Sequence, residues 1–297
     1  MKYRIIHKTH YQYSKAVSLC YNIAHLRPRD YHRQSCYQHS ITVDPKPTEL
    51  REQNDFFGNH RAYFCVQQPH SSLTVTAVSE VEVRASGSLL DAAYPIPWEE
   101  VAKSIQGSRN PADIEASQYQ LESPFVSMSK EMADYAKASF KPARPVLEAV
   151  HDLMGRIHHD FQYDPHFTTV ATPLSEVMKH RRGVCQDFAH FAIGCLISMG
   201  IPARYVSGYL ETKPPPGKKK LLGADASHAW FSVYVPNQGW VDFDPTNNQV
   251  PMDQHIITAW GRDYGDVTPL KGIIFGGGSK HKLDVEVDVI VLDKTPV

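Results

Sequence analysis

The chain has 297 residues, 42% hydrophobic and 21% charged, which allows one large or two ordinary globular domains. A formal net charge of -1 leaves no electrostatic footprint for nucleic acid or an anionic membrane surface, so neither is expected as a partner. Five cysteines are odd in number and form no CxxC pair, and sixteen histidines show no HExxH spacing, so no disulfide framework, metal or cofactor is expected.

Met1-Lys2-Tyr3-Arg4 leads directly into an alternating pattern, with no signal-type apolar region behind it. No apolar run approaches the roughly 20 residues that span a bilayer, and a cytoplasmic location is expected. Tyr3, Ile5, His7, Thr9, Tyr11 and Tyr13 alternate with more polar neighbours, the mark of a half-buried strand. Further strands are expected over 20–26, 37–44, 61–67 and 73–83, with turn chemistry at Asp44-Pro45-Lys46-Pro47 and Asp55-Phe56-Phe57-Gly58-Asn59. That spacing predicts an antiparallel β-sandwich or barrel over residues 1–90, a structural or recognition module.

The composition shifts near Ser86-Gly87-Ser88, and after Ala93-Tyr94-Pro95-Ile96-Pro97 the pattern turns helical. Helices are expected over 125–140 and 146–161, the second with His151, His158 and His159 on a solvated face. Thr172-Pro173 reads as an N-cap and first helical residue of a short helix over 174–179. The next helix opens at Cys185. Phe188, Phe191, Ala192, Cys195, Leu196 and Met199 form its apolar stripe, Gly200 closes it, and Cys195 is a core residue. Strands follow over 204–211, 227–235, 240–244, 256–260 and 273–275, with a last one through Leu283 to Val291. The insert Pro214-Pro215-Pro216-Gly217-Lys218-Lys219-Lys220 is expected to be a surface loop. One central helix followed by an antiparallel sheet predicts an α+β unit over 91–297.

A thiol in the first turn of a helix sits against the positive end of the helix dipole, which favours thiolate. A nucleophilic cysteine then needs a base, and the base an orienting acceptor. His228-Ala229-Trp230 opens one strand, and Trp240-Val241-Asp242-Phe243-Asp244-Pro245-Thr246 ends near the next turn. Cys, His and Asp or Asn so arranged are the papain-type set. Asp187, two residues after Cys185, points away from it and suits the helix N-terminus.

The segment Arg182-Gly183-Val184-Cys185-Gln186-Asp187-Phe188-Ala189-His190, followed by Gly200-Ile201-Pro202-Ala203-Arg204-Tyr205-Val206-Ser207-Gly208-Tyr209, resembles the transglutaminase-like superfamily. His228-Ala229-Trp230 and the Trp240 to Asn247 run complete the set in the family's order. Phe161-Gln162-Tyr163-Asp164, Gly261-Arg262-Asp263-Tyr264, Leu26-Arg27-Pro28 and Phe57-Gly58-Asn59 extend the likeness over nearly the whole chain, in the bacterial branch with an N-terminal β domain. The resemblance implies a papain-like core with Cys185 as nucleophile, His228 as base and Asp244 as orienter. It also implies an oxyanion donor at the backbone N–H of Cys185 and a second at Tyr163. Gln186, Trp230 and Asn248 are further oxyanion or cleft-lining residues on this reading, and Asp263, Tyr264 and Asp266 either line the cleft or form a structural turn.

Strand geometry sets a difficulty for Asp244. If Asn237-Gln238-Gly239 is a three-residue hairpin loop, His228 pairs with Asn248, and Asp244 lies roughly 13 Å along the strand from the imidazole. Asn248 is then a rival orienter. The expected activity is a cysteine hydrolase, a protease or amidase cleaving a peptide or protein amide through an acyl-thioenzyme. Protein-glutamine transglutamination and a non-catalytic binding module with the same fold are the alternatives.

Overall fold

In the computed structural model, residues 1–85, 95–212 and 227–292 are described. The Ser86-Gly87-Ser88 shift, Ala93-Tyr94 and the Pro214 to Lys220 insert lie outside the described residues. The N-terminal unit is built on β1 (Lys2–Ala24), one continuous strand where two were expected. Register shifts between Gln12 and Val17, and between Val17 and Leu19, let a chain this long keep pairing across the break in its alternation. Around it lie β2 (Gln34–Asp44), β3 (Glu49–Asn54), β4 (His60–Val66) and β5 (His70–Val83), in the order β2-β5-β1-β4-β3. All pairs are antiparallel, and the alternation of β1 buries Tyr3, Ile5, His7 and Thr9.

Helices α1 (Trp98–Ile105), α2 (Pro111–Ser117), α3 (Lys130–Lys137) and α4 (Val146–Asp160) follow. Helix α3 is shorter than the 125–140 reading because Ser129 caps it, its hydroxyl accepting the Met132 N–H at 3.1 Å. A two-residue parallel pair, β6 (Gln162–Tyr163) with β7 (Arg182–Gly183), brackets α5 (Leu174–His180). Thr172 is not the cap of α5. Pro173 takes that position, and the Thr172 hydroxyl accepts the Thr169 N–H instead.

Helix α6 (Cys185–Ser198) is buried from Gln186 to Ile197. It packs on a four-stranded sheet of β8 (Ala203–Leu210), β9 (Ser227–Val235), β10 (Gly239–Phe243) and β11 (His255–Gly261), in the order β10-β9-β8-β11. Phe188, Phe191, Leu196, Tyr205, Phe231, Val233 and Phe243 belong to one core between helices and sheet. The α+β expectation for this unit is met.

The last strands are expected in the 91–297 unit together with that core sheet. After the short α7 (Tyr264–Val267), however, β12 (Leu270–Gly276) and β13 (His281–Val291) both pair with β1, making the N-terminal sheet seven-stranded. The cause is side-chain burial. Val287 and Val289 of β13 join Tyr3, Ile5, Val81 and Val83 in a cluster that also takes Tyr209 and Ile256 from the core sheet. This cluster ties the two units together, and β1 offers β13 an eleven-pair ladder.

Candidate active site

Cys185 is the first residue of α6, and its surroundings are set by the two chain segments just before it. Gln162 pairs with Arg182 and Tyr163 with Gly183, while Asp164 binds the Arg182 guanidinium. The Asp187 carboxylate turns back along the helix, accepting the Val184 N–H at 2.8 Å and the Thr168 hydroxyl at 2.6 Å. It is therefore a buried cap and not just a favourable charge. Burial pushes its pKa up, against the two hydrogen bonds. Gly183 is required there, since a Cβ would lie 2.6 Å from Asp187 Oδ2 and 2.8 Å from its Cβ. The thiol is partly exposed at the helix start, whereas Cys195 is fully buried and its pKa is raised by burial.

His228 is the second residue of β9 and Asp244 follows β10. The expected hairpin loop was misplaced. Gly239 is left-handed as anticipated, but it pairs with Val235 and belongs to the strand, leaving Pro236, Asn237 and Gln238 as the loop. This moves the register by two residues. Extended one step, it sets Asp244 opposite Trp230, so the offset from His228 is two residues, about 7 Å along the strand. Diagonal neighbours at that spacing can touch. His228 Nε2 lies 2.8 Å from Asp244 Oδ2.

Asp244 is wholly buried and saturated with donors. Its Oδ1 accepts the backbone N–H groups of Thr246 and Asn247 at 3.0 and 3.2 Å. Its Oδ2 also receives Asn247 Nδ2 at 2.7 Å and His255 Nε2 at 3.0 Å. Burial alone would neutralise the carboxyl, yet His228 and His255 hold its pKa far below the ordinary range. The His228 ring is also opposed by burial. Its bond to Asp244, with the charges of Asp244 and the neighbouring Cys185, outweighs that, and its pKa is pushed up to about 10. Thiol, imidazole and carboxylate thus lie together, with a hydrogen bond joining the last two.

Neither Asn247 nor His255 was assigned to the site from sequence. Asn247 stood in the quoted motif, one position from the suspected Asn248, while His255 carries no local signal and arrives on β11. Asn248 is an exposed, left-handed turn residue whose side chain lies near Gly155 of α4, and it does not orient the imidazole. Trp230 is fully buried behind the site, its ring centroid 6.0 Å from that of His228 and 5.1 Å from that of His255. It backs the imidazole rather than lining open space. Gln186 is buried at the start of α6. Tyr163 is half-exposed, and burial and then the neighbouring Cys185 push its phenol pKa up.

Asp263 caps α7, accepting the Gly265 N–H at 2.8 Å and the Phe125 N–H at 3.0 Å, and Asp266 binds Arg262, so both are structural. Two of the α4 histidines, His151 and His159, are exposed, and His159 Nδ1 lies 3.2 Å from the Asp160 carboxylate. His158, also exposed, approaches the Thr246 carbonyl through Nδ1 at 3.0 Å, steadying the turn that carries Asp244. Among the described residues, His228, Asp244 and His255 are the one group with three potential metal-ligand atoms close together. Their 2.8 and 3.0 Å contacts are those of charge-assisted hydrogen bonds. No helix among the described residues is long and apolar enough to cross a membrane.

Comparison with known proteins bears on the family and the fold. Residues 3–82 match the bacterial transglutaminase-like N-terminal region, and residues 133–245 match the transglutaminase-like superfamily. The uncharacterized protein Rv2569c of Mycobacterium tuberculosis is 41% identical over 295 residues, covering 97% of this chain and 92% of its own. The uncharacterized protein ML0607 of Mycobacterium leprae is 33% identical over 286 residues, covering 96% and 97%. A crystal structure from Cytophaga hutchinsonii, described as a candidate cysteine protease, superposes with a TM-score of 0.74 at 21% identity, covering all of this chain and 93% of that one. At that identity the likeness concerns the fold.

Proposed function

The chain belongs to the transglutaminase-like superfamily, and from that premise we propose that it is a thiol hydrolase cleaving a peptide or protein amide. The observation that carries the reading is the His228 imidazole bonded to the buried Asp244 carboxylate, with the Cys185 thiol beside it at a helix N-terminus.

On this reading His228 takes the thiol proton, and the thiolate sulfur attacks the amide carbonyl carbon. The oxyanion accepts the backbone N–H of Cys185 and the phenol of Tyr163, whose raised pKa keeps it a protonated donor. The imidazolium passes its proton to the leaving amine as the C–N bond breaks. Water, deprotonated by His228, then attacks the thioester. The acid departs and the thiol is restored. Asp244 stays ionised throughout, fixing the ring with Nε2 toward itself so that the other nitrogen serves the sulfur. A cytoplasmic location is part of the same proposal, and the five unpaired thiols suit a reducing compartment.

Intact-mass analysis after limiting iodoacetamide at pH 6 to 7 tests the nucleophile. Cys185 should be alkylated ahead of the other four cysteines, and the selectivity should vanish in His228→Ala. A Cys185 that reacts no faster than an ordinary thiol defeats the mechanism. Product masses from a glutamine-containing peptide with and without an added amine then separate hydrolysis from acyl transfer.

A further inference from the structure

The face of the core sheet turned away from α6 carries a second constellation. Residues alternate between faces along a strand, so Phe231 and Val233 of β9 enter the helix-facing core while Trp230, Ser232 and Tyr234 face the other way. Arg204 of β8 pairs with Ser232, and Ser232 with Asp242 of β10. Arg204, Ser232 and Asp242 are therefore one row across three adjacent strands. Its ends are opposite charges, about 10 Å apart at the backbone by strand spacing. Both are buried, at 6% and 8% exposure.

A cavity of about 570 Å³ lies over this row, lined by Arg204 and Asp242 and walled by Tyr31, Tyr234, Trp240 and Trp260. None of Cys185, His228 and Asp244 lines it. The Arg204 guanidinium stacks on two of the walls, with Cζ 4.2 Å from the Trp240 ring centre and 3.7 Å from that of Trp260. Its Nε has no hydrogen-bond partner, and among the described residues no carboxylate pairs with it. Asp242 acts on it only through its field. The Asp242 carboxylate in turn accepts the Ser232 hydroxyl through Oδ1, and among the described residues no cation pairs with it.

Buried ions are ordinarily paired, because desolvation penalises a lone one heavily. Here two opposite ones are left facing a cavity whose volume suits a small molecule. A simple anion drawn to Arg204 would meet Asp242, and a simple amine drawn to Asp242 would meet Arg204. A ligand bearing both charges satisfies both. Arg33 and Glu115 repeat the same pairing of signs elsewhere in the lining. We propose that this cavity binds a small zwitterion, a free α-amino acid being the simplest, with its carboxylate on Arg204, its ammonium on Asp242 and its side chain against the aromatic walls. The site is independent of the thiol chemistry and stands or falls apart from it.

Two of the four tryptophans line the cavity, so intrinsic fluorescence reports occupancy, with calorimetry as the second readout. The full chain is titrated at pH 7 with L-leucine, 4-methylpentanoate and 3-methylbutylamine, which share one hydrocarbon body and differ in charge. A saturable response to leucine is expected, with each singly charged analogue weaker on the order of tenfold or more, the loss of one charge-assisted contact. In Asp242→Asn the order should reverse, leucine weakening while 4-methylpentanoate gains. In Arg204→Met both should be lost. The comparison on the wild-type chain needs no variant to fold. Absence of a saturable leucine response up to its solubility overturns the proposal, as does equal affinity for 4-methylpentanoate, or a leucine affinity unmoved by Asp242→Asn in a folded protein.

Discussion

His255 and His228 donate to the same oxygen, Oδ2 of Asp244, at 3.0 and 2.8 Å. A wholly buried carboxylate with five donors is a rigid acceptor, and its rigidity is passed to the imidazole next to the thiol. Among the described residues, the hydrogen-bond partner of the His255 ring is Asp244. His255 acts through Asp244, and its remaining ring nitrogen is buried without a partner.

Replacing His255 with Ala should therefore lower turnover by about one to two orders of magnitude, as loss of an outer supporting partner does. The substrate KM should stay nearly constant, and the unfolding free energy should fall by about 1 to 3 kcal/mol for the donor withdrawn from a buried charge. Steady-state kinetics with urea unfolding measures both. A variant that is destabilised but fully active would reduce His255 to a structural role.

The two Asn residues of the turn separate cleanly. Asn247→Ala removes the 2.7 Å bond to Asp244 and should reduce activity several-fold. Asn248→Gly keeps the left-handed backbone, φ 50°, and should leave activity intact, because its side chain lies near α4. Asp244→Asn should be the most damaging of the three. If Asn248→Gly proved more harmful than Asn247→Ala, the orienter would have to be reassigned.

Stability should depend on pH through the His228–Asp244 pair. The folded pKa of His228 is raised from 6.5 to about 10, so its contribution is complete below pH 6.5 and is lost as pH rises toward 10. The Asp244 pKa is depressed, so its contribution is present above the ordinary carboxylate range and is lost as pH falls below it. Urea midpoints should decline from pH 6.5 to pH 10 in the wild type, and much less steeply in His228→Ala. Equal slopes in both proteins would show that the pair is not the titrating element.

At the helix start, Gly183→Ala forces a methyl group into the Asp187 carboxylate. Overpacking of this kind costs about 1 to 3 kcal/mol. Displacement of the cap should also slow alkylation of Cys185, read by intact mass. Retention of both stability and reactivity would mean that the segment relaxes freely and does not position the thiol.

Cys185→Ala and Cys195→Ala should fail in opposite ways. The first, at a partly exposed helix start, should abolish activity with little change in unfolding. The second, in the core, should retain activity while losing on the order of 1 kcal/mol. An active Cys185→Ala protein would end the thiol mechanism.

What the sequence by itself determined lies along the chain. The alternation of Tyr3, Ile5, His7 and Thr9, the stripe from Phe188 to Leu196, and the ordered appearance of Cys185, His228 and Asp244 are all local patterns. Period and spacing express which face of an element is buried, and they need no partner to be read. Pairing is different. Gly239 occupies the same left-handed conformation whether it ends the loop or starts the strand, yet that choice moves Asp244 from out of reach to 2.8 Å from His228. β13 reads equally well as a strand of either sheet, and burial of Val287 and Val289 against Tyr3 and Ile5 decides it. His255 meets Asp244, and Arg204 shares a row with Asp242, only because β8, β9, β10 and β11 lie side by side. Such meetings depend on burial and ladder register between segments remote in the chain, and that is why the tertiary structure alone decided them.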